Sequence, residues 1–180
     1  MSSQPTSPQR ASVLIAPARL ADLSVVRALL HETINTTEIY NERAMAYERA
    51  LYTSQYIESL LEEDPESILL ATCAGEPCGF LITKCDNGPL WLCWFSVAPQ
   101  WRGRKIGSQL IGKMIDLAAG RGLYKIWCDT RTNNTSSIPI LAAHGFEKLC
   151  RLDNHWCNQD YFLWQKFVTG DRDFGRETDR

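Results

Sequence analysis

The sequence predicts a mixed α/β fold, a mostly antiparallel sheet with helices on both faces. Three observations predict it. Apolar residues recur at strand spacing and at helical spacing in alternating runs, in the order β-α-α-β-β-β-α-β-α-β-β. Three consecutive strand-like runs, Ser67 to Cys73, Cys78 to Lys84 and Leu90 to Val97, are joined by turns too short for a crossover, so they pair antiparallel. A strand-like run then enters a helical run through a short basic loop that contains glycine, Arg102 to Ser108.

Each element follows from local pattern. Met1 to Ser12 is rich in Ser, Pro and Gln and reads as a disordered tail. Val13 to Ala16 is a short apolar strand ended by Pro17. From Leu20 to Ile34, Leu23, Val26, Leu30 and Ile34 fall on one helical face. Glu42 to Glu63 reads as one or two further helices, with Met45, Tyr52, Tyr56, Ile57, Leu60 and Leu61 as candidate buried positions. Ala74-Gly75-Glu76-Pro77 is expected as a four-residue hairpin loop, and Asp86-Asn87-Gly88-Pro89 as the next turn. Gly107 to Ala119 is a helix stopped by Gly120 and Gly122. Lys125 to Asp129 is a strand, and Ile138 to His144 a short helix after the capping-rich turn Asn133 to Ser137. Phe146 to Leu152 and Tyr161 to Phe167 are the last strands, linked by a loop at Asp153 to Asp160. Thr169 to Arg180 is a charged tail without apolar periodicity, so one domain is expected over Val13 to Val168.

Composition excludes several classes. With 180 residues, 44% hydrophobic and 22% charged, the chain suits one ordinary soluble domain. A net charge of −2 argues against a general nucleic-acid binder. Apolar runs such as Ile68 to Ala71 are too short to span a membrane, and the N-terminus has no signal-type stretch. The seven cysteines are scattered and form no C-x-x-C pair. They read as reduced core thiols of a cytoplasmic protein, without zinc.

The loop at Arg102 to Ser108 reads as an anion cradle. Glycine lets backbone N–H groups approach a phosphate, and the helix N-terminus adds partial positive charge. The dinucleotide fingerprint is absent, because Gly103 and Gly107 are spaced G-x-x-x-G. A near P-loop at Gly107 to Lys113 fails because Met114 stands where a hydroxyl is needed for magnesium, within a helical run.

The stretch Val97 to Leu110, V-x-P-x-x-R-G-x-x-I-G-x-x-L, resembles the acetyl-CoA pyrophosphate loop of the GNAT superfamily of N-acetyltransferases. Arg102 and Gly107 match the family core Q/R-x-x-G-x-G/A, with Ile106 between them, and Lys105 departs from it at the first glycine. A second signature follows: Asn134, Ser137, Ile138, Gly145 and Phe146 match N-x-x-A/S-I-x-x-Y-x-x-x-G-F. The resemblance covers roughly Val13 to Val168 and implies the same order of elements.

What the resemblance implies is specific. Acetyl-CoA would be the co-substrate. Phe95, Ser96 and Val97 would pair their backbone with the pantetheine arm and offer an N–H to the thioester carbonyl. Gly103 to Ser108 would hold the pyrophosphate, with Arg102, Arg104 and Lys105 adding charge, and Asn134 would bond the cofactor arm. Acetyl would pass directly to a small-molecule or peptide amine in a ternary complex. Leu141 occupies the family's tyrosine position and cannot donate a proton. Ser137 and His144 lie on the same short helix as other donors, but water is the expected proton source for a thiolate whose thiol pKa is about 8.5. Asp129 is the expected general base, by its resemblance to the acidic residue of ribosomal-protein N-terminal acetyltransferases, with Glu38 and Glu42 as weaker candidates. A homodimer is compatible with the resemblance.

His31 to Glu66 carries nine carboxylates against Arg43 and Arg49. It reads as a solvated helical face, or as a mouth that attracts a cationic amine. The competing functional reading is a non-catalytic acyl-CoA-binding or regulatory module, suggested by the missing tyrosine.

Overall fold

The computed structural model describes residues 12–168. The two expected tails, apart from Ser12, lie outside the described residues. The strands are β1 (Val13–Pro17), β2 (Ile68–Cys73), β3 (Glu76–Cys85), β4 (Leu90–Val97), β5 (Lys125–Arg131), β6 (Glu147–Leu152) and β7 (Tyr161–Phe167). The helices are α1 (Leu23–Thr36), α2 (Glu42–Leu51), α3 (Ser54–Glu63), α4 (Ile106–Gly120) and α5 (Ser137–Ala143). Short 3-10 turns precede α1 at Leu20–Asp22, precede α4 at Pro99–Trp101, and lie between β6 and β7 at Trp156–Asn158.

One seven-stranded sheet has the order β1-β2-β3-β4-β5-β7-β6. All neighbours run antiparallel except β4 and β5. The central strands are buried on both sides. On one side Cys78 and Leu81 of β3 join Ile106, Leu110, Ile111 and Met114 of α4. On the other, Phe80 and Ile82 join Val26, Leu30 and Ile34 of α1 and Ile57 and Leu60 of α3. Alternation along one strand therefore supplies two helical layers at once.

Several boundaries differ from expectation. The β2–β3 loop has two residues, not four: Ala74 at φ 53° and Gly75 at φ 84° turn the chain between paired Cys73 and Glu76. Positive φ at both central positions matches the right-handed twist of a hairpin. Of the one or two helices expected over 42–63 there are two, because Asn41 caps α2 and the Thr53 hydroxyl accepts from Tyr56 N–H to start α3. The first helical run opens with a 3-10 turn and continues past Ile34 to Thr36. β5 does not end at Asp129 but runs to Arg131, held by pairing of Thr130 and Arg131 with Phe162 and Tyr161.

Candidate active site

β4 and β5 register only at Leu90–Ile126 and Trp91–Trp127. Beyond these pairs the two strands part. A bulge at Cys93, opposite the Ile82/Thr83 step of β3, bends β4 at the point of divergence. From there to Val97 the β5-facing edge of β4 has no strand partner. The divergence opens a cleft of about 1010 Å³ between the strand ends, the first turn of α4, and the α1–α2 and β6–β7 segments.

Phe95, Ser96, Val97, Arg102, Gly103, Lys105, Ile106, Gly107, Ser108 and Asn134 all line this cleft, as does Asp129. Arg104 does not. Its guanidinium lies 4.6 Å from the centre of the Trp101 ring, turned to the loop surface. Arg102 closes the loop onto β4 by donating from Nε to the Val97 carbonyl at 3.2 Å. The departure from the glycine pattern is visible in the backbone. Lys105 is the residue before α4 and adopts φ 62°, ψ 18°, the left-handed conformation that glycine takes without strain.

Gly107 is needed for another reason. A Cβ there would stand 3.2 Å from Ile140 Cδ1 and 3.6 Å from Phe95 Cε2. The missing side chain lets α4 pack against β4 and α5, so a Gly107 substitution would perturb packing as well as any bound phosphate. Ser108 Oγ hydrogen-bonds His144 Nε2 at 2.8 Å. His144 is thereby spent on α4 and does not line the cleft, whereas Ser137 does. Leu141 lines it too and is fully buried. Asn134 Oδ1 accepts from Ser137 N–H at 3.1 Å and from the Ser136 hydroxyl at 3.0 Å, which caps α5.

The other half of the cleft contains groups the sequence did not single out. Arg131 is only 7% exposed. Its guanidinium carbon lies 3.4 Å from the Tyr40 ring centre and 4.9 Å from that of Tyr161. Its Nε donates to Gln159 Oε1 at 3.0 Å, and Nη2 lies 3.9 Å from Glu48 Oε1. Glu48 and Glu38 line the cleft; Glu42 does not. The remaining carboxylates of the acidic stretch do not reach it, and Asp64 pairs with Arg121 at 2.8 Å.

Two carboxyls in this half are perturbed alike. Burial pushes Asp129 above the ordinary carboxylate range, against the opposing pull of Arg131, His155 and a hydrogen bond from Trp156. Burial also pushes Glu48 up, opposed by Arg131 and a hydrogen bond from Trp94, and reinforced by the charge of Asp129. Burial likewise raises the Cys93 thiol, to about 12, so it is not a ready thiolate. One signal in the sequence pointed to Arg131. It stands two residues after Asp129, and a strand's period of two puts both on one face. Glu48 carried no such mark among its neighbouring carboxylates.

All seven cysteines are unbridged. Among the described residues no helix is long and apolar enough to cross a membrane, and no group of three or more His, Cys, Asp or Glu is placed to hold a metal ion.

The profile of the Acetyltransferase (GNAT) family matches residues 32–146. An acetyltransferase of Sodalis glossinidius is 32% identical over 93 residues, 52% of this chain and 62% of that protein. An uncharacterised N-acetyltransferase of Methanocaldococcus jannaschii is 26% identical over 118 residues, 57% of this chain and 48% of that protein. The matches span less than two thirds of either relative. The solved structure of the PaiA N-acetyltransferase of Thermoplasma acidophilum, in complex with coenzyme A, superposes with a TM-score of 0.72 at 18% identity, over 87% of this chain and 99% of that one. With the family profile matching well over half of its length, and the fold agreeing, this chain belongs to the Acetyltransferase (GNAT) family.

Proposed function

We propose that the protein transfers acetyl from acetyl-CoA to a primary amine by direct attack in a ternary complex. One observation carries the reading. The parted strands β4 and β5 leave an unpaired strand edge, the first turn of α4 and a buried carboxyl, Asp129, around a single cleft. The neighbour crystallised with coenzyme A has this fold.

The roles follow from chemistry. The free edge of β4 at Phe95 to Val97 offers backbone groups to a pantetheine amide, as a neighbouring strand would, and an N–H to the thioester oxygen as negative charge develops there. Gly103, Lys105, Ile106, Gly107 and Ser108 present the helix N-terminus to the pyrophosphate. Arg104 can reach a phosphate only by leaving the Trp101 ring. Asn134 has its oxygen engaged in the α5 cap, so its amide Nδ2 is the group for the cofactor arm.

An ammonium ion has no lone pair and must lose a proton before it attacks. Asp129 takes that proton. Its raised pKa brings it closer to the amine's, which makes it a better base than a surface aspartate. Collapse of the tetrahedral intermediate expels the thiolate, which is protonated by water. Leu141 supplies no proton.

The test is thiol release from acetyl-CoA with a mixed panel of small amines and peptides, with the acetylated product identified by mass. Turnover that requires an amine and yields one acetyl-amine per thiol supports the reading. Tight acetyl-CoA binding with no product from any amine favours the non-catalytic module.

A further inference from the structure

We propose that the inner end of the cleft is an ammonium site, formed by the carboxylates of Glu48 and Asp129 and the hydroxyl of Tyr161, and that it selects a small primary amine carrying no carboxylate. The inference deepens the acetyl-transfer reading and rests on it.

An ammonium group has three N–H donors and needs three acceptors. The cleft offers three, from three different elements: Glu48 on α2, Asp129 on β5 and Tyr161 on β7. Tyr161 is 3% exposed, lines the cleft, and holds its ring 4.9 Å from the Arg131 guanidinium carbon, next to the cation that Glu48 also approaches. A phenol hydroxyl accepts as well as donates, so in the cleft wall it can take one N–H of a bound ammonium. Burial raises the Tyr161 phenol, Arg131 opposes the rise, and the charges of Asp129 and Glu48 add to it, so the three groups act on one another electrostatically.

Arg131 determines which amine fits. It is the buried cation of this end, and a bound carboxylate would need it. Its guanidinium already has the Tyr40 and Tyr161 rings stacked on it, Gln159 on Nε and Glu48 beside Nη2. Arg131 therefore orients Glu48 rather than a substrate. Two carboxylates and one guanidinium leave one net negative charge, which a single ammonium neutralises. An amino acid would bring a third carboxylate beside the first two.

The end is also walled. Gln159 Nε2 donates to the Ile39 carbonyl at 2.8 Å, and Asn41 Nδ2 to the Cys157 carbonyl at 2.8 Å. These bonds join the α1–α2 and β6–β7 segments across Arg131, which limits the size of the group that enters.

The experiment separates this site from the chemistry. Calorimetric titration of the CoA-loaded protein with ethylamine at pH 6, where the amine is an ammonium ion, reads the site without turnover. Glu48→Gln is expected to weaken ethylamine at least tenfold, and Tyr161→Phe about threefold, with CoA affinity held within twofold. Thiol release then compares glycinamide with glycine at equal free-amine concentration. The kcat/KM for glycinamide is expected to be at least tenfold higher. Equal ethylamine affinity in wild type and Tyr161→Phe, or a preference for glycine, overturns the proposal. Should Glu48→Gln not fold, the Tyr161→Phe titration and the glycinamide comparison still decide it. If ethylamine binds as expected but no amine is acetylated, the ammonium site stands and the acetyl-transfer reading fails.

Discussion

Arg131 lies against Tyr40, its guanidinium carbon 3.4 Å from the ring centre. The pair links β5 to the segment between α1 and α2, and it sets where Glu48 can lie. A planar guanidinium can stack and bond Gln159 at the same time; an ammonium on a flexible stem cannot. Arg131→Lys keeps the charge but loses both contacts. It is expected to lower stability by about 2 kcal/mol, the upper range for a desolvated cation–π contact. Urea denaturation checks this, and a midpoint equal to wild type would show the stack to be idle.

Lys105 is held in the left-handed region at the start of α4. A non-glycine residue there costs roughly 1–2 kcal/mol. Lys105→Gly is therefore expected to raise the unfolding free energy by up to about 1 kcal/mol, the relieved strain less the entropy that glycine adds to the unfolded chain. Lys105→Glu keeps the strain and reverses the charge beside the expected pyrophosphate. It should weaken acetyl-CoA about tenfold, in line with the 1–1.5 kcal/mol of a partly exposed ionic contact. Calorimetric titration of both variants separates the backbone contribution from that of the charge. Unchanged affinity in Lys105→Glu would place the phosphates elsewhere.

Leu141 is fully buried in the wall of the cleft, at the position where the family carries a tyrosine. Leu141→Met conserves volume and should be nearly silent in turnover and cost less than about 1.5 kcal/mol. Leu141→Tyr adds a ring to a filled site and should destabilise by about 1–3 kcal/mol. A collapse of turnover in the folded Met variant would give the position a role beyond packing.

The strand-loop-helix from Leu90 to Ala119 was legible because its information is local. The apolar alternation, the basic glycine loop and the helical run are contiguous, and the cleft opens where they meet. Asp129 was singled out by its offset from Asn134, and the two line the same cleft. Glu48, Tyr40 and Tyr161 were not, because they come from three elements far apart in sequence and meet only when the sheet closes around Arg131. Glu48 was one carboxylate among nine, and only burial distinguishes it. Arg104 lies outside the cleft lining, because its guanidinium stacks on Trp101, a contact that nothing in the motif announces.

The raised pKa of Asp129 has a stability consequence. Burial lifts its folded-state value above the unfolded one. Between those values the folded state binds more protons, so stability is greatest below the unfolded value of about 4 and is lost as pH rises through the folded value. Asp129→Asn removes the buried charge. Its melting temperature should exceed wild type at pH 7, and the difference should shrink as pH falls toward 4. A lower melting temperature at pH 7 would mean that the ionised carboxylate stabilises the fold.

The same substitution tests the central claim most directly when turnover is measured. Asn keeps the shape of Asp129 and removes its basicity. With acetyl-CoA affinity unchanged, kcat for a small amine at pH 7 is expected to fall by roughly 10²–10⁴, the range for a general base, and to recover in part as pH rises and the amine deprotonates in solution. Wild-type turnover by Asp129→Asn at pH 7, with acetyl-CoA still bound, would contradict the account and remove Asp129 from the chemistry.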